Sequence, residues 1–362
     1  MDPLVPPNVE RMIPYKPGKP LEELERELGI RDAIKLASNE NPIGPSPKVT
    51  AALREAAASL HFYPDGAGFS LRSAIADHHG IAMDEVCLGN GSNELIDLLC
   101  RTFPSRDDHI VFGKPSFVCY WLGATAAGVS FSEVPLKDHL AWDIDAMLAA
   151  VQPNTKLLFL ANPNNPTGAH VGEADLRRLL EGLPPRVVCV IDEAYVEFAD
   201  ADDYVSALSL RDLRERLIVL RTFSKAYGLA GLRVGYALGP PSLIDYLMRM
   251  RAPFNVGSLG QLAARVALED PDHVAAYVAL NAKERTRVAA GLRELGLEVA
   301  PSQANFVLVN VKRPGAEVYD ALLRRGVIVR TMPPPIDTWL RVSIGTEPMN
   351  DRLLNAMREV VQ

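Results

Sequence analysis

The sequence predicts an α/β fold, with a large domain built on a mainly parallel sheet with helices on both faces and a smaller α+β domain at the C-terminus. From residue 85 onward, short continuous apolar runs alternate with amphipathic helical stretches. Continuous runs indicate strands buried on both faces, which is typical of parallel sheets. A chain of 362 residues is also long enough for two domains and can build its core without disulfides or a structural metal.

The N-terminal residues are rich in proline and polar side chains and predict an extended arm. A short helix follows it, because Pro20 can open a helix, LEELEREL favours one and Gly29 can end it. We assign residues 1–35 to an arm that packs against the smaller domain or a partner subunit. Ser46 and Pro47 then predict the start of the next helix.

The strands predicted for the large domain, residues 36–270, are short and almost wholly apolar. They are HIVFG (109–113), KLLFLA (156–161), RVVCVI (186–191), LIVLR (217–221) and VGYALG (234–239). Helical stretches lie between them, namely ELIDLLCRTF (94–103), FVCYWLGATAA (117–127) and EADLRRLLEGL (173–183). This alternation predicts strand–helix–strand units and therefore a mainly parallel sheet.

The smaller domain is predicted over residues 271–362. A long helical region from Pro271 to about Leu295 is expected to bridge the two domains. It precedes shorter elements, which are NFVLVN (305–310), a helix near 316–325, VIVR (327–330), LRVSIG (340–345) and a terminal helix.

Composition excludes several classes of function. A net charge of −7 with no basic segment argues against a nucleic-acid partner. No apolar window approaches 18 residues, so no membrane span is predicted, and the absence of a secretion signal predicts a cytoplasmic protein. The four cysteines lack CxxC spacing and predict buried free thiols, and the seven histidines show no metal-ligand spacing.

The segment TFSKAYGLAGLRVGY (222–236) carries the most informative chemistry. Lys225 follows the small hydroxyl residues Thr222 and Ser224, and Arg233 comes eight positions later. A lysine in an apolar core is costly unless its charge is removed or matched, and a Schiff base with an aldehyde removes that charge. Arg233 could clamp a phosphate through its planar guanidinium. Taken alone, however, a Ser-Lys pair is more often an ordinary surface lysine.

Three other segments place polar residues where predicted strands end. IDEAY puts Asp192 and Tyr195 after a buried strand, at the edge where parallel sheets bind ligands, although Asp192 could equally cap a helix. NPNNPTG, which contains Asn165, follows another strand and has more Asn-Pro steps than a turn requires. GNGSNELIDLL predicts a glycine-rich turn with Ser92 as the helix N-cap, which would suit a phosphate.

In this order and spacing, NPNNPTG, DEAY and SK followed by GLRVGY resemble the fold type I pyridoxal-phosphate aminotransferases over the whole chain. The resemblance implies pyridoxal 5′-phosphate carried as a Schiff base on Lys225, which also moves a proton between the substrate and the cofactor. Asp192 matches the carboxylate that pairs with the pyridine nitrogen. Asn165 and Tyr195 match donors to the ring O3′, and Phe117 matches the stacked ring that is tyrosine in many relatives. The residues that match the phosphate cradle are Ser92, Asn93, Thr222, Ser224 and Arg233.

Within that superfamily the sequence most resembles the histidinol-phosphate aminotransferases, from PNVERMIPYKPGKPLEELEREL and KLASNENPIGPSP through HFYPDG to VIVRTMPPPIDTWLRVSIGT. This resemblance implies a homodimer with shared active sites, in which Tyr63 reaches the partner's cofactor phosphate and Tyr15 closes over the substrate. Arg341 matches the arginine that binds the donor carboxylate, and Arg330 matches a second substrate arginine. The implied reaction is a ping-pong transamination between L-histidinol phosphate or imidazole-acetol phosphate and glutamate or 2-oxoglutarate, in histidine biosynthesis.

Other functions stay open on the residues alone. An aromatic amino-acid aminotransferase would share almost every residue named above. A threonine-phosphate decarboxylase would share the fold and also bind a phosphorylated substrate. A cofactor-binding transcriptional regulator would need a DNA-binding domain, for which the chain has no basic helix-turn-helix segment. A nicotinamide-dependent oxidoreductase is disfavoured because GNGSNE lacks the GxGxxG spacing.

Overall fold

The computed structural model, which describes residues 4–14, 18–138 and 140–361, has one large sheet and a separate smaller sheet. Its N-terminal part contains two short helices, α1 (Pro7–Glu10) and α2 (Leu21–Leu28), and the short strand β1 (Ile34–Lys35). The helix α2 begins after Pro20 and ends at Gly29, which adopts a left-handed φ of 71°, as predicted. Strand β1 pairs in parallel with residues 327–328, so the N-terminal segment joins the C-terminal part of the chain.

Seven strands form the large sheet, and five of them match the apolar runs predicted from the sequence. They are β2 (Val86–Gly89), β3 (His109–Lys114), β4 (Ser130–Pro135), β5 (Thr155–Ala161), β6 (Val188–Asp192), β7 (Leu217–Thr222) and β8 (Gly235–Leu238). Their order is β2-β8-β7-β6-β5-β3-β4, and β8 alone runs antiparallel to its neighbours. The predicted mainly parallel sheet is therefore confirmed.

Helices pack around this sheet and cover the continuous apolar strands. The helices between β1 and the C-terminal part are α3 (Pro47–Ala56), α4 (Phe69–His79), α5 (Ser92–Thr102), α6 (Val118–Ala127), α7 (Ile144–Ala149), α8 (Glu173–Gly182), α9 (Pro241–Met250) and α10 (Ser258–Leu268). Short 3₁₀ helices occupy Ala57–Ser59, Met83–Glu85, Val196–Phe198, Ala207–Leu213 and Ala230–Leu232. Because both faces of the sheet are covered, every residue of β2 and β6 is buried.

The C-terminal part is a smaller α+β unit. Its elements are α11 (Pro271–Glu294), β9 (Glu298–Val299), β10 (Phe306–Asn310), α12 (Gly315–Leu323), β11 (Val327–Ile328), β12 (Arg330–Thr331), β13 (Trp339–Ser343) and α13 (Glu347–Val361). We call the antiparallel sheet β12-β13-β10-β9 the C-terminal sheet. The run VIVR, predicted as one strand, is divided between β11 and β12, which pair in two different sheets.

The long helix α11 contacts both hydrophobic cores. Near its start, Tyr277 belongs to the core of the large sheet, whereas Val288 and Leu292 belong to the core beneath the C-terminal sheet. This agrees with the bridging role expected for residues 271–295. Within the described ranges, no helix is both long and apolar enough to cross a membrane.

Candidate active site

A cavity of about 190 Å³ opens at the carboxyl ends of the large-sheet strands and borders the C-terminal sheet. Twelve of the predicted site residues line it, namely Ser92, Asn93, Phe117, Asn165, Asp192, Tyr195, Thr222, Ser224, Lys225, Arg233, Arg330 and Arg341. The sequence reasoning did not select the other lining residues, which are Gly18, Ala37, Ser38, Asn39, Ala161, Pro163 and Ala194. Strand ends from one edge of a parallel sheet thus bring separate motifs to one site.

Lys225 lies in the turn after β7 and is held toward the cavity by the N-terminal segment. Its Nζ donates a hydrogen bond to the carbonyl of Ser38 at 3.1 Å. Burial, together with the positive charge of Arg341, lowers the pKa of Lys225 to about 8. A lowered pKa leaves part of the population as a neutral amine at neutral pH, which is the form needed for a nucleophile or a general base.

Asp192 is the last residue of β6 and is only 3% exposed. Its Oδ2 accepts a hydrogen bond from the Tyr120 hydroxyl at 2.8 Å, and its Oδ1 accepts one from the backbone N–H of Ala194 at 3.2 Å. Burial raises the pKa of Asp192 to about 6, because desolvation disfavours the carboxylate more strongly than these two bonds favour it. A buried carboxylate that faces a cavity is suited to pair with a cationic group of a bound molecule.

The N-terminus of α5 and Arg233 form a second corner of the cavity. The helix begins at Ser92 with Gly91 at the N-cap, so the prediction of Ser92 as the cap was wrong by one residue. Gly91 has a φ of +75°, and a Cβ there would lie 2.4 Å from Arg233 Nη2. A Cβ would displace the Arg233 guanidinium, and the positive φ would strain any residue with a side chain. Glycine therefore lets the guanidinium lie next to the N–H groups of the first helical turn, which have no partner within the helix.

Two arginines lie side by side on neighbouring strands of the C-terminal sheet. Arg330 on β12 is the direct cross-strand partner of Arg341 on β13, so both side chains lie on one face of the antiparallel pair. Arg341 donates to Asn165 Oδ1 and, at 2.7 Å, to the carbonyl of Ala37. Like charges placed opposite each other are destabilising, and an anionic ligand between them would offset that cost.

Comparison with known proteins agrees with this geometry. The sequence model described as "Aminotransferase class I and II" matches residues 31–357. The chain belongs to the class I and II aminotransferases. A histidinol-phosphate aminotransferase from an Anaeromyxobacter species is 46% identical over 361 residues, which is 99% of both chains. One from Moorella thermoacetica is 44% identical over 96% of this chain and 90% of its own length.

A solved structure is similar over nearly the full length of this aminotransferase. The histidinol-phosphate aminotransferase from Sinorhizobium meliloti, solved in complex with pyridoxal-5′-phosphate, superposes with a TM-score of 0.91. It is 30% identical in sequence, and the match covers 99% of this chain and 97% of that one. The predicted aminotransferase fold is therefore confirmed.

The structure of this single aminotransferase chain leaves the predicted roles of Tyr63 and Tyr15 untested. Tyr63 is 83% exposed and does not line the cavity, and its ring stacks on Phe254 with 4.8 Å between the ring centroids. Its predicted role concerns a partner subunit, which a single chain does not test. Tyr15 lies outside the described residues.

The sequence reasoning missed two sets of residues that hold the site together. Tyr120, the donor to Asp192, is fully buried and stacks on Phe159 with 4.9 Å between centroids, so in sequence it is indistinguishable from a core tyrosine. Its spacing of three residues from Phe117, at the start of a helix, was the available signal. The segment Ala37–Asn39 was given no role in the predicted site. There the signal was the asparagine, because asparagine tolerates positive φ better than most residues.

Proposed function

We propose that this aminotransferase uses pyridoxal 5′-phosphate to transfer an amino group between L-histidinol phosphate and 2-oxoglutarate, in line with relatives that are named histidinol-phosphate aminotransferases. The observation that carries the proposal is full-length identity of 44–46% to histidinol-phosphate aminotransferases, combined with a cavity that gathers twelve of the predicted residues. Such an activity belongs to histidine biosynthesis. A cytoplasmic location stays a prediction.

The chemistry of the cavity fits pyridoxal 5′-phosphate at each end of that molecule. Arg233 and the first N–H groups of α5 would hold the phosphate. The lack of a side chain at Gly91 lets Arg233 lie beside those N–H groups. The Asp192 carboxylate would pair with the ring nitrogen, and Phe117 would cover a ring face. When bound, the cofactor supplies an electron sink that stabilises negative charge at the substrate Cα.

In both half-reactions, Lys225 would move the proton at the substrate Cα. Its Nζ takes the proton from Cα of the amino donor in the first half and delivers a proton to Cα of the product in the second. Desolvation, which lowers the pKa of Lys225 to about 8, poises the amine near the working pH for both directions. In the cofactor-free chain, the bond to Ser38 holds Nζ at the cavity wall.

Asp192 supplies the fixed charge of the proposed mechanism. Its carboxylate would be stabilised by a protonated ring nitrogen, which replaces the water that burial removed. Tyr120 holds Oδ2 in place, and the N–H of Ala194 holds Oδ1, so the carboxylate needs no reorganisation during the reaction.

The two arginines of the C-terminal sheet could bind both substrates, although the substrates carry different anionic groups. Glutamate presents carboxylates, whereas histidinol phosphate has no α-carboxylate and presents a phosphate. A guanidinium binds either anion through the same planar pair of N–H donors. Arg330 and Arg341, which are cross-strand neighbours, can therefore serve both half-reactions with one pair of side chains.

A half-reaction panel tests this proposal. The pyridoxal form is mixed singly with L-histidinol phosphate, L-phenylalanine, glutamate or O-phospho-L-threonine, and conversion to the pyridoxamine form is followed by absorbance. We expect histidinol phosphate to give the highest kcat/KM among the non-dicarboxylic donors. A faster reaction with phenylalanine would make this an aromatic aminotransferase, and carbon dioxide release from phosphothreonine would make it a decarboxylase. Lys225→Ala is the control and should show no conversion.

We further propose a homodimer with shared active sites. The support is a group of exposed apolar side chains near the 60s loop, which comprises Leu60, Phe62, Tyr63, Phe69 and Phe254. Clustered exposed aromatic residues are typical of an interface. Tyr63 would then reach the cofactor phosphate of the partner subunit.

Subunit complementation tests the shared site. Lys225→Ala and Tyr63→Ala variants are each assayed alone and after mixing, unfolding and refolding together. In a shared-site dimer, each mixed dimer contains one site with both residues intact, so about a quarter of wild-type activity should return. Mixtures no more active than the two variants assayed separately would contradict the shared site.

A further inference from the structure

Three consecutive residues of the N-terminal segment each hold a different residue of the cavity. The carbonyl of Ala37 accepts from Arg341 at 2.7 Å, and the carbonyl of Ser38 accepts from Lys225 at 3.1 Å. Asn39 Nδ2 then donates to the Tyr195 hydroxyl oxygen at 2.9 Å. The first two contacts use backbone atoms that any residue would provide. The third depends on the asparagine side chain.

The position and backbone conformation of Asn39 are fixed by burial and by several hydrogen bonds. It is 1% exposed and adopts a φ of +56°, a left-handed conformation that few residues other than glycine and asparagine tolerate. Its backbone N–H donates to Ser343 Oγ at 2.8 Å, and its carbonyl accepts from Asn305 Nδ2 at 3.0 Å. These bonds anchor the residue to β13 and to the residue just before β10.

The orientation of the Asn39 amide follows from the same network. The Ser343 hydroxyl, which accepts from the Asn39 N–H, donates its own proton to Asn39 Oδ1 at 2.9 Å. With Oδ1 used in this way, Nδ2 faces Tyr195. The Tyr195 oxygen is therefore the acceptor in its bond with Asn39, and the Tyr195 proton takes no part in that bond.

We propose that Asn39 is a positioning residue for the amino-transfer reaction, which fixes Tyr195 as a hydrogen-bond donor toward the group bound in the cavity. This inference rests on the proposed function. Tyr195 is 4% exposed and lines the cavity, and the resemblance to the aminotransferases gives its hydroxyl the role of donor to the cofactor. A donor bound to the tyrosine oxygen also polarises the O–H bond, which strengthens the bond that the hydroxyl donates in turn.

The consequence is measurable as the protonation equilibrium of the bound cofactor. A hydrogen bond donated to the cofactor's phenolic oxygen stabilises its anionic form, so the cofactor loses its proton at a lower pH. Weakening the Tyr195 donor should raise that pH. Asn39→Gly leaves the charged groups around the site unchanged, whereas Asn39→Asp adds one carboxylate, whose charge acts with or without the Tyr195 hydroxyl. The existing charged groups are Glu40, Asp192, Lys225, Arg233, Arg330 and Arg341.

Two substitutions separate the side-chain bond from the backbone conformation. Asn39→Gly keeps the left-handed φ without strain and removes the donor to Tyr195. Asn39→Asp keeps the shape and the Ser343 contact but replaces the donor with an acceptor, so the Tyr195 proton turns toward it. The readout is the pH midpoint of the visible absorbance band of the holoenzyme, with thermal unfolding of each variant as the control for folding.

We expect Asn39→Gly to raise the midpoint by about 0.5 pH unit, roughly a threefold change in proton affinity, and Asn39→Asp to raise it further, by about one unit. The shift caused by Asn39→Gly should vanish in a Tyr195→Phe background, because Asn39 acts through the Tyr195 hydroxyl. If Asn39→Gly does not fold, Asn39→Asp is compared in the wild-type and Tyr195→Phe backgrounds, because the added charge acts in both and only the effect through the hydroxyl is lost in the second.

An unchanged or lowered midpoint in these variants overturns the inference, and so does a shift of equal size in the Tyr195→Phe background, which would indicate a general structural effect. The wild-type protein separates this failure from failure of the proposed function. A wild-type protein that binds no pyridoxal 5′-phosphate and transfers no amino group refutes the function itself. A wild-type protein that does both, beside an unresponsive Asn39→Gly variant, refutes the inference alone.

Discussion

Replacing Asp192 with asparagine should stabilise the cofactor-free protein at the same time as it impairs the enzyme. Burial raises the pKa of Asp192 from 3.8 to about 6. A carboxyl group with a raised native pKa binds protons more tightly in the folded state, so its contribution to the free energy of unfolding falls as pH rises from 3.8 to 6. A difference of about two pKa units corresponds to about 3 kcal/mol of lost stability above pH 6.

Asparagine cannot ionise and avoids this loss, although it gives up one contact. The single amide oxygen can accept from Ala194 or from Tyr120, but not from both as the two carboxylate oxygens do. Leaving the buried Tyr120 proton without an acceptor costs about 1 kcal/mol. We therefore expect Asp192→Asn to be about 2 kcal/mol more stable than the wild type at pH 8 and slightly less stable at pH 4.

Urea unfolding of the two apoproteins, followed by tryptophan fluorescence at several pH values, measures this difference. Differences between variants isolate Asp192, because the other titrating groups are common to both proteins. Added pyridoxal 5′-phosphate should reverse the order at pH 8, since only the wild type has a carboxylate to pair with the ring nitrogen. An Asp192→Asn apoprotein that is less stable than the wild type at pH 8, or a difference independent of pH, would refute the reasoning.

Three further predictions concern the contacts around the cavity. Tyr120→Phe should lower kcat by about tenfold to a hundredfold and weaken cofactor binding, because it removes the hydrogen bond to the Asp192 carboxylate. Steady-state kinetics and cofactor titration measure the two effects, and an unchanged kcat would contradict the role given to Tyr120. Arg341→Lys keeps the charge but loses the planar pair of donors, so KM should rise at least about tenfold for glutamate and for histidinol phosphate alike; a rise for one substrate only would contradict the shared use of this arginine. Gly91→Ala should weaken cofactor binding about tenfold or more, because its Cβ would push aside Arg233 Nη2, 2.4 Å away, and the φ of +75° would strain alanine. Unaltered equilibrium binding of pyridoxal 5′-phosphate would show that this corner does not hold the phosphate.

The parts of the fold that sequence predicts well are those fixed by local pattern. The run from Val188 to Ile191 is continuous, apolar and short, and only a strand covered on both faces buries it fully. The run VIVR was a harder case, because nothing local reveals that Val327–Ile328 pairs with β1 while Arg330–Thr331 pairs with β13. Strand pairing between distant segments is a property of the whole fold, and a single run of four residues does not encode it.

The residues of the candidate site also differ in how well the sequence predicts them. Lys225 and Asp192 are polar residues at the ends of apolar strands, so their chemistry stands out from their surroundings. Tyr120 instead acts through its bond to Asp192, 72 positions away in sequence, and Asn39 through its bond to Tyr195, 156 positions away. Neither contact leaves a local pattern in the sequence, since each depends on where the sheet and the N-terminal segment meet.

In the proposed function, Lys225 carries the cofactor as a Schiff base and releases it when the amino donor binds in its place. Borohydride reduction of the holoenzyme, followed by peptide mass spectrometry, tests it most directly. We predict that the reduced cofactor is found on Lys225, and that incubation with L-histidinol phosphate before reduction leaves this lysine unmodified. Cofactor attached to another lysine, or labelling of Lys225 that histidinol phosphate does not prevent, would contradict the account.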